Sequence, residues 1–202
     1  MRVESPQYGP NRRGSGNREQ GTAPSRLVRR MSPPTLETER LRLRPYTADG
    51  SDLDALQAVL GDPVSMRWYP APFDRDATTR WIDRQLERYM ADGTGLLAVE
   101  ERATGEVIGD CGPSFQDVDG ESLLELGWHI RRDRQGRGFA TEAGAACRDW
   151  AFAELRPAFL ISLIRPENIG SWRVAEKLGF EIWRGTIRAG WGHLVYRLDP
   201  PR

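Results

Sequence analysis

Apolar residues along this chain keep two rhythms, and the switches between them outline the elements. Leu36, Leu41 and Leu43 alternate with polar positions and predict a first strand over Leu36–Arg44. Leu53, Leu56, Val59 and Leu60 share one face of a helix over Asp52–Leu60, which Gly61-Asp62-Pro63 stops. After an aromatic-weighted loop, Val64–Pro72, the spacing of Trp81, Ile82, Leu86 and Tyr89 predicts a second helix. Asp74 or Asp76 caps it, and it ends near Asp92-Gly93. Three strands then form a meander, Leu96–Glu100, Val107–Cys111 and Ser122–Ile130, with turns at 102–105 and 117–120. The helical period returns from Phe139 to Leu155. Phe159–Ile164 is almost continuously apolar, as a strand buried on both faces requires. A helix over Trp172–Leu178, terminated by Gly179, leads into a last antiparallel pair, Glu181–Thr186 and Trp191–Leu198. The order predicts an α/β fold: a mixed, mostly antiparallel central sheet with one splayed parallel pair, and helices on both faces.

Composition narrows the function classes. The 202 residues are 39% hydrophobic and 29% charged, which suits one globular domain over residues 34–202. Residues 1–33 lack apolar pattern and are rich in Gly, Pro, Ser, Asn and Arg, so a disordered basic tail is expected there, with Met31 as an alternative start. A formal net charge of +0 gives no global pull toward nucleic acid or a membrane surface. An RNA-binding role for the tail is the weaker reading beside a solvated one. No apolar run approaches the ~20 residues of a membrane span, and the first residues lack the apolar segment of a signal peptide. A cytoplasmic protein is expected, with Cys111 and Cys147 reduced and partly buried. Two cysteines with His129 and His193 do not have metal-ligand spacing, so no metal is expected.

The chemistry concentrates in Arg134–Ala143, between a strand and a helix. Gly136 and Gly138 free the backbone, and the turn delivers the chain to a helix N-terminus, where unpaired N–H groups favour an anion. A pyrophosphate cradle and a plain tight turn both fit that pattern. A Walker loop is excluded by the missing Gly-Lys-Ser/Thr ending, and a dinucleotide fingerprint by Thr141 in its third small position. Downstream, Pro166–Phe180 places Asn168 as a helix cap, Ser171 one turn along, and Gly179 where a positive-φ turn is needed.

These two stretches carry a resemblance. Gln135-x-x-Gly138-x-Ala140 is similar to the Q/R-x-x-G-x-G/A signature of the GCN5-related N-acetyltransferases, the GNAT family. Pro166-Glu-Asn168-x-x-Ser171…Glu176-Lys177-Leu178-Gly179-Phe180 resembles the same family's P-x-N-x-x-S…E-K-x-G-F. Thr38–Pro45 and Ala140-Thr-Glu-Ala143 look like the branch that acetylates ribosomal-protein N-termini, and the likeness spans roughly Pro34 to Leu198. The resemblance implies acetyl-coenzyme A as co-substrate and a primary amine, on a protein N-terminus or a small molecule, as acceptor. Acyl transfer would be by direct attack in a ternary complex, by a monomer or homodimer.

It also implies site residues. Gln135, Gly136, Arg137, Gly138, Phe139, Ala140 and Thr141 would hold the pyrophosphate, with Arg137 or Arg134 adding charge. His129 and Ile130 would line the pantetheine arm, Gly127, Trp128 and Asn168 would also bind the cofactor, and oxyanion donors would lie beside a bulge near Leu126-Gly127-Trp128. Glu125, an acid within an apolar strand, is the expected base, and Asp110 the second choice. Ala175 stands where many members carry a tyrosine acid, so Ser171 is the expected hydrogen-bond donor to sulfur. Trp68 and Tyr69, with Met66 and Phe73, would wall the acceptor. Asp62, Asp74, Asp76, Asp117 and Asp119 would make its mouth acidic. Loss of the tyrosine leaves a second reading open, a non-catalytic acyl-coenzyme A sensor.

Overall fold

The computed structural model describes residues 33–201; the expected tail, apart from Pro33, lies outside them. Eight strands form one sheet in the order β1-β2-β3-β4-β5-β6-β8-β7. They are β1 (Leu36–Glu37), β2 (Leu41–Arg44), β3 (Leu97–Glu101), β4 (Glu106–Val118), β5 (Glu121–Ile130), β6 (Leu160–Ile164), β7 (Glu181–Arg188) and β8 (Trp191–Leu198). The helices are α1 (Leu53–Leu60), α2 (Arg75–Ala91), α3 (Phe139–Trp150), prolonged by a π-turn at Ala151–Leu155, and α4 (Ile169–Lys177). Every pairing is antiparallel except β5 with β6, whose parallel register is a single pair, Glu125↔Ile161. The mixed sheet with one splayed parallel pair is therefore present. No helix among the described residues is long and apolar enough to cross a membrane.

Adjacent residues of β4 and β5 point to opposite faces, and their partners show which helices cover each face. Asp110 meets α2 through the indole N–H of Trp81, whereas the carbonyl of Cys111 lies 3.6 Å from Cys147 Sγ on α3. Trp128 reaches Ser171 on α4. One layer thus contains α1 and α2, the other α3 and α4. Leu41, Leu43, Leu126, Leu160 and Ala143 are fully buried between sheet and helices.

Two strands differ from expectation. The run Leu36–Arg44 is folded back on itself as the β1–β2 hairpin, pairing Leu36 with Leu43. Thr38 and Arg40, within that bend, bind Glu142 of α3 at 2.5–2.9 Å and so tie the sheet edge to the helix that opens the glycine turn. Strand β4 does not stop at Cys111; it continues through Gly112-Pro113 to Val118 because β5 pairs with it throughout. Pro113 lacks a donor, but it lies beyond the last β3–β4 partner, Leu97↔Cys111, where a single bond remains, the Pro113 carbonyl accepting from Gly95 N at 2.7 Å.

Candidate active site

The β5–β6 divergence creates the site. Arg131 N donates to Ile108 O at 2.7 Å, which fixes the alternation of the β4–β5 ladder. Glu125, Gly127 and His129 therefore turn their N–H groups toward β4. Leu126, Trp128 and Ile130 turn theirs toward β6, and beyond the Glu125↔Ile161 pair β6 has moved away. The main-chain N–H groups of Trp128 and Ile130 thus face an open wedge. The expected bulge is absent: the register runs without a shift from Gly109↔Ile130 to Val118↔Glu121. Splaying of β6, rather than an extra residue in β5, frees the amides.

A cleft of about 680 Å³ runs through this wedge and joins the two faces of the sheet. At one end lies the glycine turn. A 3-10 turn, Arg132–Arg134, leads into Gly136 (φ 74°) and Gly138 (φ 84°), both left-handed. A Cβ on Gly136 would meet nothing within 4 Å, so backbone conformation rather than crowding demands glycine there. Gly138 caps α3 without any side-chain hydrogen bond, and the first helical bond is Glu142 N to Gly138 O at 3.0 Å. The N–H groups of Phe139, Ala140 and Thr141 consequently point out of the helix end, along its positive dipole. That arrangement fits a diphosphate.

The side chains of the turn have other work. Gln135 Nε2 donates to the Ile130 carbonyl at 2.8 Å, clamping the turn onto the end of β5. Arg134 pairs with Glu101, Asp133 and Glu106 at 3.1, 2.6 and 3.3 Å, so its charge is already matched. Arg137 is exposed and its side chain does not line the cleft; only its carbonyl is used, by Arg40 Nη1 at 3.0 Å. Arg134 and the other expected cofactor residues line the cleft; Arg137 is the one that does not.

Glu125 stands at the wedge's apex. Its Oε1 accepts from Leu163 N at 3.1 Å, replacing a ladder bond that the divergence of β6 removes. Burial is the largest influence on its carboxyl and holds its pKa above the ordinary glutamate value, against the opposing pull of Arg188, the Leu163 N–H, His129 and Arg88. Gly127 and His129 follow on the same face. A Cβ on Gly127 would meet only Leu96 Cδ2, at 3.9 Å, so this glycine keeps cleft volume open. Gly127→Val is expected to fold normally, because a β-branched residue suits a strand, while lowering kcat/KM at least about tenfold by filling that volume. Thermal unfolding together with a thiol-release assay checks both halves.

His129 is held from both sides. Its Nδ1 lies 2.6 Å from Asp110 Oδ1 and its Nε2 lies 2.7 Å from the Tyr69 hydroxyl. A carboxylate can only accept, so Nδ1 carries a proton, and in the neutral ring Nε2 accepts from Tyr69. Asp110 is fully buried and also accepts from Trp81 Nε1 at 2.8 Å and Tyr46 Oη at 3.1 Å. With its oxygens so occupied and no place on the cleft wall, Asp110 is not available as a base; it anchors the chain Asp110–His129–Tyr69. Burial raises the pKa of Tyr69, so its hydroxyl stays protonated.

On the opposite face, Asn168 Oδ1 accepts from Ser171 N at 3.2 Å and starts α4. Ser171 Oγ accepts from Trp128 Nε1 at 3.2 Å, which leaves its own proton free to donate into the cleft. Ala175 is completely buried in the core and offers no proton donor, which leaves Ser171 as the hydroxyl of α4 on the cleft wall. Trp68 and Tyr69 line the cleft; Phe73 instead packs edge-on to Tyr69 and Trp81, behind the wall.

The acidic mouth is not there. Asp62 and Asp74 accept from Ser65 N and Ala77 N at 2.7 Å, Asp117 from Gly120 N at 3.1 Å, and Asp119 from Thr186 Oγ1 at 2.8 Å. These four are turn and cap residues, and neither they nor Asp76 line the cleft, where Glu125 is the lone acid among the described residues. Arg84 and Arg88, one turn apart on α2, and Arg188 on β7 line it instead. The i, i+4 spacing of the first two was a readable signal; Arg188 was not, because hairpin folding alone brings it to the wall.

Comparison with known proteins defines the class. A family model described as "Acetyltransferase (GNAT) domain" matches residues 40–181. The chain belongs to the GNAT acetyltransferase family and is an acyltransferase; enzymes of this family use acetyl-coenzyme A. It is 33% identical over 153 residues to the protein YkkB of Bacillus subtilis (strain 168), covering 76% of this chain and 88% of that one. Among solved structures it is similar to an acetyltransferase from Agrobacterium tumefaciens str. C58, with 33% identity, a TM-score of 0.72, and coverage of 91% of this chain and 100% of the other. The fold is shared with Mycobacterium smegmatis RimJ, solved with CoA-disulfide, at 21% identity and a TM-score of 0.64, covering 83% and 88% of the two chains.

Proposed function

We propose that the protein is a cytoplasmic N-acetyltransferase that moves an acetyl group from acetyl-coenzyme A to a primary amine by direct attack in a ternary complex. The observation that carries this reading is the position of the Glu125 carboxylate, half-buried at the apex of the wedge where β5 leaves β6 and beside two outward-facing amides. The donor supplies an acetyl thioester; the chain supplies its orientation and the proton transfers. Amides of Gly136 to Thr141 cradle the diphosphate. The N–H groups of Trp128 and Ile130 face the carbonyl oxygen and stabilise the charge that develops on it. Glu125, with its raised pKa, takes the amine's proton. An alkyl amine has a pKa near ~10, so without a base little of it is nucleophilic at neutral pH. Ser171 donates its free proton toward the departing sulfur. Tyr69, fixed by His129, and Trp68 wall the acceptor.

Ser171→Ala tests the sulfur contact. One hydrogen bond of about 1 kcal/mol corresponds to a roughly fivefold lower kcat, with KM for the donor little changed. An unchanged kcat would remove Ser171 from the account. The proposal as a whole is tested by screening amines with acetyl-coenzyme A, following thiol release and the mass of the acetylated product. Amine-dependent product supports it; tight donor binding with no product from any amine indicates a sensor instead.

A further inference from the structure

The acceptor half of the cleft has the wrong charge for a polycation. Glu125 is its single acid, while Arg84 and Arg88 approach from α2, Arg188 from β7 and Arg165 from the end of β6. Among the described residues, no carboxylate lies within ion-pair distance of Arg84, Arg88 or Arg188. Arg188 is held by a neutral partner, Gln116 Oε1 at 2.7 Å, and Arg88 has only Gln85 Oε1 at 3.4 Å. The pKa of Arg88 is lowered by burial first and then by Arg84, with Glu125 and Asp92 opposing and Arg188 acting in the lowering sense.

Arg165 adds an independent observation. Its guanidinium lies 3.6 Å from the centroid of the Trp191 ring and 6.0 Å from that of Trp68. Its Nη1 is buried and has no hydrogen-bond partner among the described residues. Its Nε sits 3.3 Å from Glu167 Oε2, close enough for attraction but outside hydrogen-bonding geometry. A buried guanidinium donor without a partner, on the wall of a substrate cleft, calls for an acceptor atom from outside the chain. The Trp191 face holds the guanidinium, which leaves its N–H donors to meet a planar or tetrahedral oxyanion.

Resting on the acetyltransferase reading, we infer that the acceptor is an amine that also carries an oxyanion, a carboxylate or a phosphate-type group: the amine meets Glu125 and the oxyanion meets the arginines. Polyamines and aminoglycosides, which bring only positive charge, are disfavoured by the same field. Because Arg84 and Arg188 are exposed, salt weakens the preference without abolishing it.

The test measures kcat/KM of the full chain with acetyl-coenzyme A for matched acceptors. These are a set of L-amino acids and their methyl amides, 2-aminoethylphosphonate and ethylamine, with spermidine and kanamycin as polycations. The expected result is that an anionic member exceeds its neutral counterpart at least tenfold, that both polycations fall below the neutral amines, and that the ratio collapses severalfold in Arg84→Gln and Arg188→Gln through KM. Whether carboxylates or the phosphonate lead identifies the oxyanion. Neutral or cationic amines equal to or better than anionic ones overturn this inference while leaving acetyl transfer intact. A ratio unchanged in both folded variants overturns it too. No product from any amine, with the donor bound, overturns the acetyl-transfer reading and this inference with it.

Discussion

Replacing Glu125 by glutamine is expected to lower kcat by about 10²- to 10⁴-fold, the usual contribution of a positioned general base, while leaving the protein as stable as before or more so at pH 7–8. Both halves come from one fact: burial holds the Glu125 pKa above that of an exposed glutamate. Folding therefore favours the protonated acid. The stability it contributes is full below the unfolded pKa and is lost as pH rises through the folded one. At neutral pH the wild type carries the cost of an ionised carboxylate in a desolvated wedge. Glutamine removes that cost and its side-chain oxygen can still accept from Leu163 N, the bond that closes the β6 backbone. The same shift predicts that kcat/KM of the wild type rises with pH along a limb displaced above the ordinary glutamate range, a limb that disappears in the variant. A pH–rate profile paired with urea unfolding at two pH values reads both. A variant that is destabilised by several kcal/mol, or that keeps the limb, contradicts a base at this position.

Asp110→Ala is expected to be the most damaging single change to stability near the site, at about 3–5 kcal/mol. The residue is fully buried and receives Tyr46 Oη, Trp81 Nε1 and His129 Nδ1. Alanine removes all three acceptor contacts at once and leaves one buried and two half-buried donors unmatched, each costing about 1–3 kcal/mol unless water enters. For a chain of this size a loss of that order lowers Tm by roughly 10 °C. Tyr69 also loses its fixed partner, so the surviving folded fraction should show a raised acceptor KM. Unfolding by urea and by heat measures the first effect, steady-state kinetics the second. A loss under about 1 kcal/mol would mean that the Asp110–His129–Tyr69 chain is ornamental.

What the sequence disclosed depended on the range of the forces involved. The glycine turn, the Asn168 cap of α4 and the left-handed Gly179 are local: each is set by a few neighbouring residues, and each sits where periodicity and turn chemistry put it. Asp74 as the cap of α2 is of the same kind, its Oδ1 accepting from Ala77 N at 2.7 Å. Features decided by pairing across the sheet were harder to read. Gly112-Pro113 looks like a stop, yet β5 carries β4 straight through it. The free amides of Trp128 and Ile130, the proposed oxyanion donors, come from the departure of β6, which no residue of β5 announces; Gly127, read as a bulge, instead leaves space. Charges were the least legible. Asp62, Asp117 and Asp119 are absorbed by turns and by Thr186, and in their place Arg84 and Arg88 of α2 are joined by Arg188, about a hundred residues away in sequence. Asp110 and His129, each visible as a candidate for proton transfer, turn out to be partners in one hydrogen-bonded chain.

The central claim is that the α3 end and the β5–β6 wedge form one continuous track for an acyl thioester. A crystal structure of the full chain soaked with acetyl-coenzyme A tests this directly. The account predicts the diphosphate on the amides between Gly136 and Thr141, with the acetyl oxygen within hydrogen-bond reach of Trp128 N or Ile130 N and the carbonyl carbon facing Glu125. A diphosphate bound elsewhere, or a thioester leaving the glycine turn away from the wedge, would contradict it.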